Sequence, residues 1–284
     1  MRIHAIQTGT VAVKSQQPSG IGRSGKTRLL RTMLDRKWTE PLPIFAWLIE
    51  HPEGLIVVDT GETSRVAEPG YWGWHPYFRF GVKEEVAAQD EIGPQLRKLG
   101  FDPLDVRWVV LTHLHTDHAG GLAHFPASEI LVSDSELRTA SGLRGKLNGY
   151  LPHRWPEWFN PTTVSFSDGA VQPFPASHPL IRAGDVVLVP TPGHTGGHLS
   201  VVVHETDQDV FLAGDTSYTQ QLMIDGIVDG VAPDPAVAAL TLGRIRKYLS
   251  ERPTIYLPSH DPDSRRRLEM RMTATRPQPR PAVA

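Results

Sequence analysis

The sequence predicts a single α/β domain, and three observations carry that expectation. The chain has 284 residues, enough to bury a large core. Short apolar runs of strand length alternate with stretches whose apolar residues recur at helical spacing. Several of these runs end, after a short turn, on a histidine or aspartate, and loops at strand ends are where an α/β scaffold gathers functional groups. No internal repeat or clean linker divides the chain. Residues 1–265 therefore read as one domain, and residues 266–284, basic and then Thr/Pro-rich, as a flexible tail.

Composition narrows the function classes. The formal net charge is −2 and there is no cysteine. Near-neutral charge implies no nucleic-acid-binding surface. The missing thiols exclude disulfides and thiolate metal sites, leaving histidine and carboxylate as ligands. The segment Met1–Gly9 has no long apolar stretch and does not resemble a signal peptide. No run approaches the ~18 apolar residues of a membrane span. The expectation is a cytoplasmic protein with no membrane partner.

The elements follow in order. Ile3 to Val13 alternate loosely and read as a first strand. Gly20 to Thr27 fits the phosphate-loop pattern G-x4-G-K-[ST]. That loop needs a strand running straight into it, so that backbone N–H groups cradle phosphates. The polar, Pro-containing stretch Lys14–Ser19 stands there instead, and the expectation is a mobile Gly-rich loop; a nucleotide site would need Lys26. Leu42–Glu50 and Leu55–Asp59 form a hairpin about His51-Pro52-Glu53-Gly54. Tyr71 to Phe80 is aromatic and broken by Gly and Pro. It reads as a loop that packs its own rings, or whose Trp72, Trp74, Tyr77 and Phe78 line a substrate channel or build a homodimer contact.

Glu84 to Leu99 carries Val86, Ile92, Leu96 and Leu99 at roughly helical spacing, with Gly100 as a stop. Glu129–Val132 and the run from Ser133 suggest a strand followed by a helix. Residues 142–161 read as irregular. Asp185–Pro190 is a strand, Leu199–His204 and Val210–Ala213 a hairpin, Ala236–Leu249 a helix, and Pro253–Pro258 a last strand.

The apolar run Trp108–Leu111 delivers Thr112-His113-Leu114-His115-Thr116-Asp117-His118. Ligand-type side chains this dense do not belong to a packed core. Alternate residues of an extended segment share a face, so His113 and His115 can approach one ion. After a turn, Asp117 and His118 can reach a second. His194, Asp215 and His260 each follow a later strand. A lone histidine there is more often a hydrogen-bonded structural residue, and an Asp after Ala-Gly a turn residue. Together with the first cluster they supply ligands for two divalent metal ions with open positions, a donor set suited to zinc and also to iron, cobalt or manganese.

The motifs HLHTDH, TPGHTGGH, the AGD at Asp215 and the SH at His260 resemble the metallo-β-lactamase superfamily over most of the chain. The resemblance implies an αββα sandwich, two mixed sheets flanked by helices, with metals along one edge. His113, His115 and His194 would hold the first ion, Asp117, His118 and His260 the second, with Asp215 bridging. Within that superfamily, Ala213–Tyr218 is similar to the N-acyl-homoserine lactone lactonases, quorum-quenching enzymes in which a tyrosine three residues after the bridging aspartate faces the substrate. Gln95–Gly100 and the His260-Asp261 pair are also similar to that group. A small-molecule lactone is thus the expected partner, opened by hydroxide held between the cations. Tyr218 would donate to the oxyanion and Asp117 would pass a proton to the leaving oxygen. Asp59 and His198 are candidates to orient ligands. The same frame would also serve a 4-pyridoxolactonase, a thioesterase or a phosphotriesterase. A non-catalytic metal-binding module is a further alternative.

Overall fold

A computed structural model describes residues 1–274 apart from 168 and 170. Its first sheet contains β1 (Arg2–Val13), β2 (Leu42–His51), β3 (Gly54–Val58), β4 (Val82–Glu85), β5 (Val106–Val110), β6 (Glu129–Ser133) and β7 (Thr162–Val164), in spatial order β4-β1-β2-β3-β5-β6-β7. Its second contains β8 (His178–Pro179), β9 (Val186–Pro190), β10 (Leu199–His204), β11 (Asp209–Gly214) and β12 (Thr254–Pro258), in order β12-β11-β10-β9-β8. Both sheets are mixed. β3, β5, β6 and β7 run parallel and the hairpins antiparallel in the first. In the second only β11 and β12 run parallel.

The period-two alternation of a strand explains why these runs are apolar throughout. In β2, Phe45, Trp47 and Ile49 enter the layer between the sheets, where they join Leu188, Val201, Leu212 and Leu257. The alternate residues Ala46 and Leu48 point outward beneath α3 (Ile92–Lys98) and α5 (Asp134–Ala140), among Ile92, Leu96 and Ala140. On the far side, Leu242, Ile245 and Leu249 of α8 (Pro235–Glu251) cover Val202, Phe211 and Tyr256. This is the αββα layering that the motifs implied. No helix among the described residues is long and apolar enough to cross a membrane.

Five stretches differ from the sequence reading. Of the expected helix 84–99, Glu84 and Glu85 belong to β4, which pairs with the far end of β1 through Val11 and Glu84; Ala88–Asp90 is a 3-10 turn, and only Ile92–Lys98 is α3. Tertiary strand pairing overrode a weak helical period. Gly20–Thr27 is not a loose loop. Ser24 caps α1 (Gly25–Leu34) in a capping box with Thr27, and Gly20 N–H donates to Val228 O at 3.1 Å. Within the aromatic stretch, α2 (Pro76–Phe80) starts on Pro76 with His75 as its cap. The irregular segment holds α6 (Gly142–Leu147) and a 3-10 turn at Pro152–Arg154. The expected tail begins inside α9 (Ser264–Glu269), and Ala274 still donates its N–H to Thr254 O, while residues 275–284 lie outside the described part.

Candidate metal centre

The C-terminal ends of β3, β5, β9, β11 and β12 meet along one edge of the sandwich. Asp59, the segment His113–His118, His194, Asp215 and His260 follow them in that order. The chain turns sharply after β5 into α4 (Thr116–Ala119), which sends Asp117 and His118 in the same direction as His113 and His115. Gly197 allows the loop after β9 to lie on α5, since a Cβ there would sit 2.2 Å from Glu136 N. Glu136, fully buried, ties this corner together. It accepts from Leu114 N–H, the Tyr150 hydroxyl and the Thr195 hydroxyl.

Three groups of donors converge within 4.8 Å of one another: His113, His115 and His194; His113, His118 and Asp215; and Asp117, His118 and His260. The tautomers follow from the outward hydrogen bonds. Thr112 Oγ1 donates to Asp59 Oδ2 at 2.9 Å and so accepts from His113 Nδ1–H at 3.1 Å. His194 Nδ1–H donates to Asp229 at 3.1 Å, His118 Nδ1–H to Asp59 at 2.8 Å, and His260 Nδ1–H to Pro43 O at 2.9 Å. Each of these four rings therefore points Nε2 inward, with a lone pair free to bind whenever the ring is neutral. His115 Nδ1 lies 2.9 Å from His113 Nε2 and 3.0 Å from His194 Nε2, and a single ring hydrogen can serve only one of them. His118 Nε2 and Asp215 Oδ1 are buried with no hydrogen-bond partner. Inward-facing ring nitrogens around buried Asp215 and partly buried Asp117 are what a divalent cation satisfies, so the residues fit metal ions.

Without a cation, protons take up the same charge. Burial lowers the affinity of His260 for a proton, but Asp215 and Asp117 outweigh it and push the ring up to about 10. His118 is raised in the same way, against its burial, by Asp215, Asp59 and Asp117. Burial and the neighbouring histidines take His115 down to about 3 and hold His113 well below its ordinary value. Asp215 stays well below the usual carboxylate range because His260 and His118 outweigh its burial.

The other expected residues divide. Asp59 sits in the left-handed backbone region, φ 59°, and accepts from Thr112 N–H, the Thr112 hydroxyl and His118. His198 does not face the cluster as a ligand: its Nε2 accepts Asp215 N–H at 3.0 Å, and its Nδ1 lies 2.9 Å from the Thr191 hydroxyl. Tyr218 stacks on the His260 ring at 5.5 Å. A cavity of about 620 Å³ opens onto the cluster, with Tyr77, Phe78, Val82, Leu29 and Leu147 among its walls. Trp72 and Trp74 are not among its lining residues. Trp72 stacks behind Phe78 at 4.9 Å, and Trp74 is 66% exposed.

Several partners lay beyond sequence reasoning. Gln17, buried in the loop after β1, donates its amide N–H groups to Tyr218 at 2.7 Å and Tyr77 at 2.8 Å. Asp229 orients His194, and Val231 and Ala232 N–H groups hold its other oxygen. Beside Asp117, Glu62 accepts the Tyr71 hydroxyl at 2.9 Å. Burial first, then proximity to Asp117, pushes Glu62 up to about 7, and burial with Glu62 alongside raises Glu84 well above its ordinary value. No local pattern marks these residues; only the Asp-Gly-Val-Ala run at 229–232 has turn character.

A layered sandwich with histidine and aspartate donors gathered at one edge defines the class as a metal-dependent hydrolase scaffold. The chain belongs to the metallo-beta-lactamase superfamily, whose family model matches residues 39–260. It is 29% identical over 236 residues to the N-acyl homoserine lactonase AttM of Agrobacterium fabrum, covering 79% of this chain and 83% of that protein. Its fold is similar to that of an N-acyl homoserine lactone hydrolase bound to N-hexanoyl-L-homoserine, with a TM-score of 0.75 at 22% identity and 98% of each chain covered. It is also similar to AidC, a dizinc quorum-quenching lactonase, with a TM-score of 0.63 at 18% identity, covering 92% of this chain and 87% of that one.

Proposed function

We propose that the protein hydrolyses the lactone ring of N-acyl-homoserine lactones. The observation that carries this reading is the Tyr218 hydroxyl at the floor of the cavity. It accepts from Gln17, so its own hydrogen is free to donate to a substrate carbonyl oxygen. Burial, with Tyr77 and Asp215 nearby, raises its pKa well above the usual phenol value, so it remains a donor at neutral pH.

His113, His115 and His194 would hold one divalent cation and Asp117, His118 and His260 a second, with Asp215 a further donor to the pair, zinc being the ion we infer. Such ions lower the pKa of coordinated water toward neutrality and polarise an ester carbonyl. The chain's own groups do the rest. Tyr218 places the carbonyl oxygen and stabilises charge on it as the tetrahedral carbon forms. Asp117, ionised and partly open to the cavity, takes a proton from the attacking water as the new C–O bond forms and returns it to the ring oxygen as the ring C–O bond breaks. Val11, Val13, Phe78 and Val82 give the acyl chain an apolar wall. That wall favours an acyl lactone over a flat polar ring such as 4-pyridoxolactone.

The test is proton release by purified protein of known metal content on N-acyl-homoserine lactones of increasing chain length, with 4-pyridoxolactone, a thioester and a phosphotriester alongside. Rapid homoserine-lactone opening that is lost in Asp215→Ala is the expected result. Silence on every lactone with the metals present would overturn the reading.

A further inference from the structure

Helix α1 is amphipathic the wrong way round for a helix packed only on its own protein. Its inner face is polar. Thr32 is buried, and the Arg28 guanidinium donates to the carbonyls of Gly22, Val228 and Asp229. Its outer face is aliphatic: Leu30 is 59% exposed and Leu34 71%, and on the helical wheel these two point away from Thr32 and Arg28. Leu29 on the same helix and Ile21 in the loop that precedes it are also exposed. Helices of soluble domains normally bury such a stripe.

The charges around the stripe are nearly all of one sign. Arg23, Lys26, Arg31, Arg36 and Lys37 are exposed and make no ion pair among the described residues, and the one acid of the segment, Asp35, is occupied by Ser15, Gln16 and Lys37 N–H. The helix also stands at the mouth of the catalytic cavity, since Lys26 and Leu29 line it. Leu147 of α6 lines the same cavity, and it and Leu143 are exposed.

Aliphatic side chains between unpaired cations match an anionic bilayer interface, where leucines enter the acyl boundary and Lys and Arg meet the headgroups. We propose that α1 docks the protein peripherally on anionic lipid, with the cavity mouth opening at that interface. The absence of a spanning segment bears only on crossing a membrane, not on lying against one. Resting on the lactonase reading, the docking would let long-chain acyl lactones, which partition into lipid, enter the cavity directly.

The experiment is co-sedimentation of the metal-loaded protein with vesicles of phosphatidylcholine alone and of phosphatidylcholine mixed with phosphatidylglycerol, at low and high salt. The wild type should bind only the anionic vesicles and be released by salt. Leu30→Ser/Leu34→Ser should weaken binding about tenfold or more, and Arg31→Glu should weaken it at low salt, while both variants open a short, water-soluble acyl lactone as fast as the wild type. Absence of binding to anionic vesicles overturns the proposal, as does binding unchanged in both variants. A dimer that dissociates in Leu30→Ser/Leu34→Ser, with no vesicle binding, assigns the face to a second copy instead. Vesicle binding with no lactone opened retains the interface and overturns the lactonase reading.

Discussion

Tyr218 and Asp59 show how much of the centre rests on the hydrogen bonds of single side chains. Tyr218→Phe keeps the stack on His260 and removes only the hydroxyl. The expected result is a fall in kcat/KM of about ten- to a hundredfold, ~1.4–2.7 kcal/mol of transition-state stabilisation, with metal content unchanged. A loss below about threefold would exclude an oxyanion role. Asp59→Asn separates chemistry from backbone, because Asn tolerates the left-handed conformation that Asp59 adopts. Its amide cannot supply the carboxylate that accepts from Thr112 and His118 together. Metal affinity should drop about 10- to 100-fold, measured by chelator competition; full occupancy in the variant would remove Asp59 from this role. The histidines and aspartates were legible in the sequence because they crowd into one short motif or close apolar runs. Gln17 and Asp229 were not, because each acquires its meaning only by meeting a residue far away in the chain.

At the scale of elements, legibility followed how local the determinant was. The apolar runs of β2, β5, β9, β10, β11 and β12 are continuous and bounded by turns, and their positions follow from that alone. β4 exists because β1 offers it an edge, and nothing within Val82–Glu85 announces a partner 70 residues upstream. The same pairing puts Glu84 beside Glu62 in the wall of the site. Burial and the neighbouring carboxylates disfavour the charged form, and Glu62 is pushed up to about 7 in the folded chain against 4.5 when exposed. A carboxyl whose pKa is raised by folding binds more protons in the native state across that window. Its contribution to stability is therefore present below 4.5 and falls as pH rises toward 7. Glu62→Gln cannot titrate, so urea midpoints of variant and wild type, both depleted of metal, should diverge in favour of the variant between about pH 4.5 and 7 and run parallel above. Parallel curves throughout would show that folding does not raise Glu62.

For the whole molecule, the two sheets act as a frame that holds opposite parts of the cluster at fixed separation. Hydrogen bonds cross between them at the site itself: Phe45 N–H donates to Ser259 O at 3.0 Å and Leu199 N–H to Thr112 O at 2.9 Å. The cluster cannot relax by moving apart, so its charge must be balanced by protons or by cations. In the metal-free protein His118 and His260 carry protons at neutral pH, while burial and their neighbours keep His113 and His115 neutral. A metal ion binds only deprotonated rings, so if His118 and His260 are ligands as proposed, loading expels their protons. The sign follows. As pH rises toward the value of about 10 at which His260 loses its proton in the metal-free state, fewer protons compete and affinity increases; as pH falls, it weakens. Calorimetric titration of metal into depleted protein, in buffers of different ionisation enthalpy near pH 7, should report release of at least about two protons for full occupancy. Release should shrink when His260 is replaced by Ala. An affinity flat with pH would mean that the rings are already bare, and that the carboxylates at the sandwich edge are balanced by some other positive group.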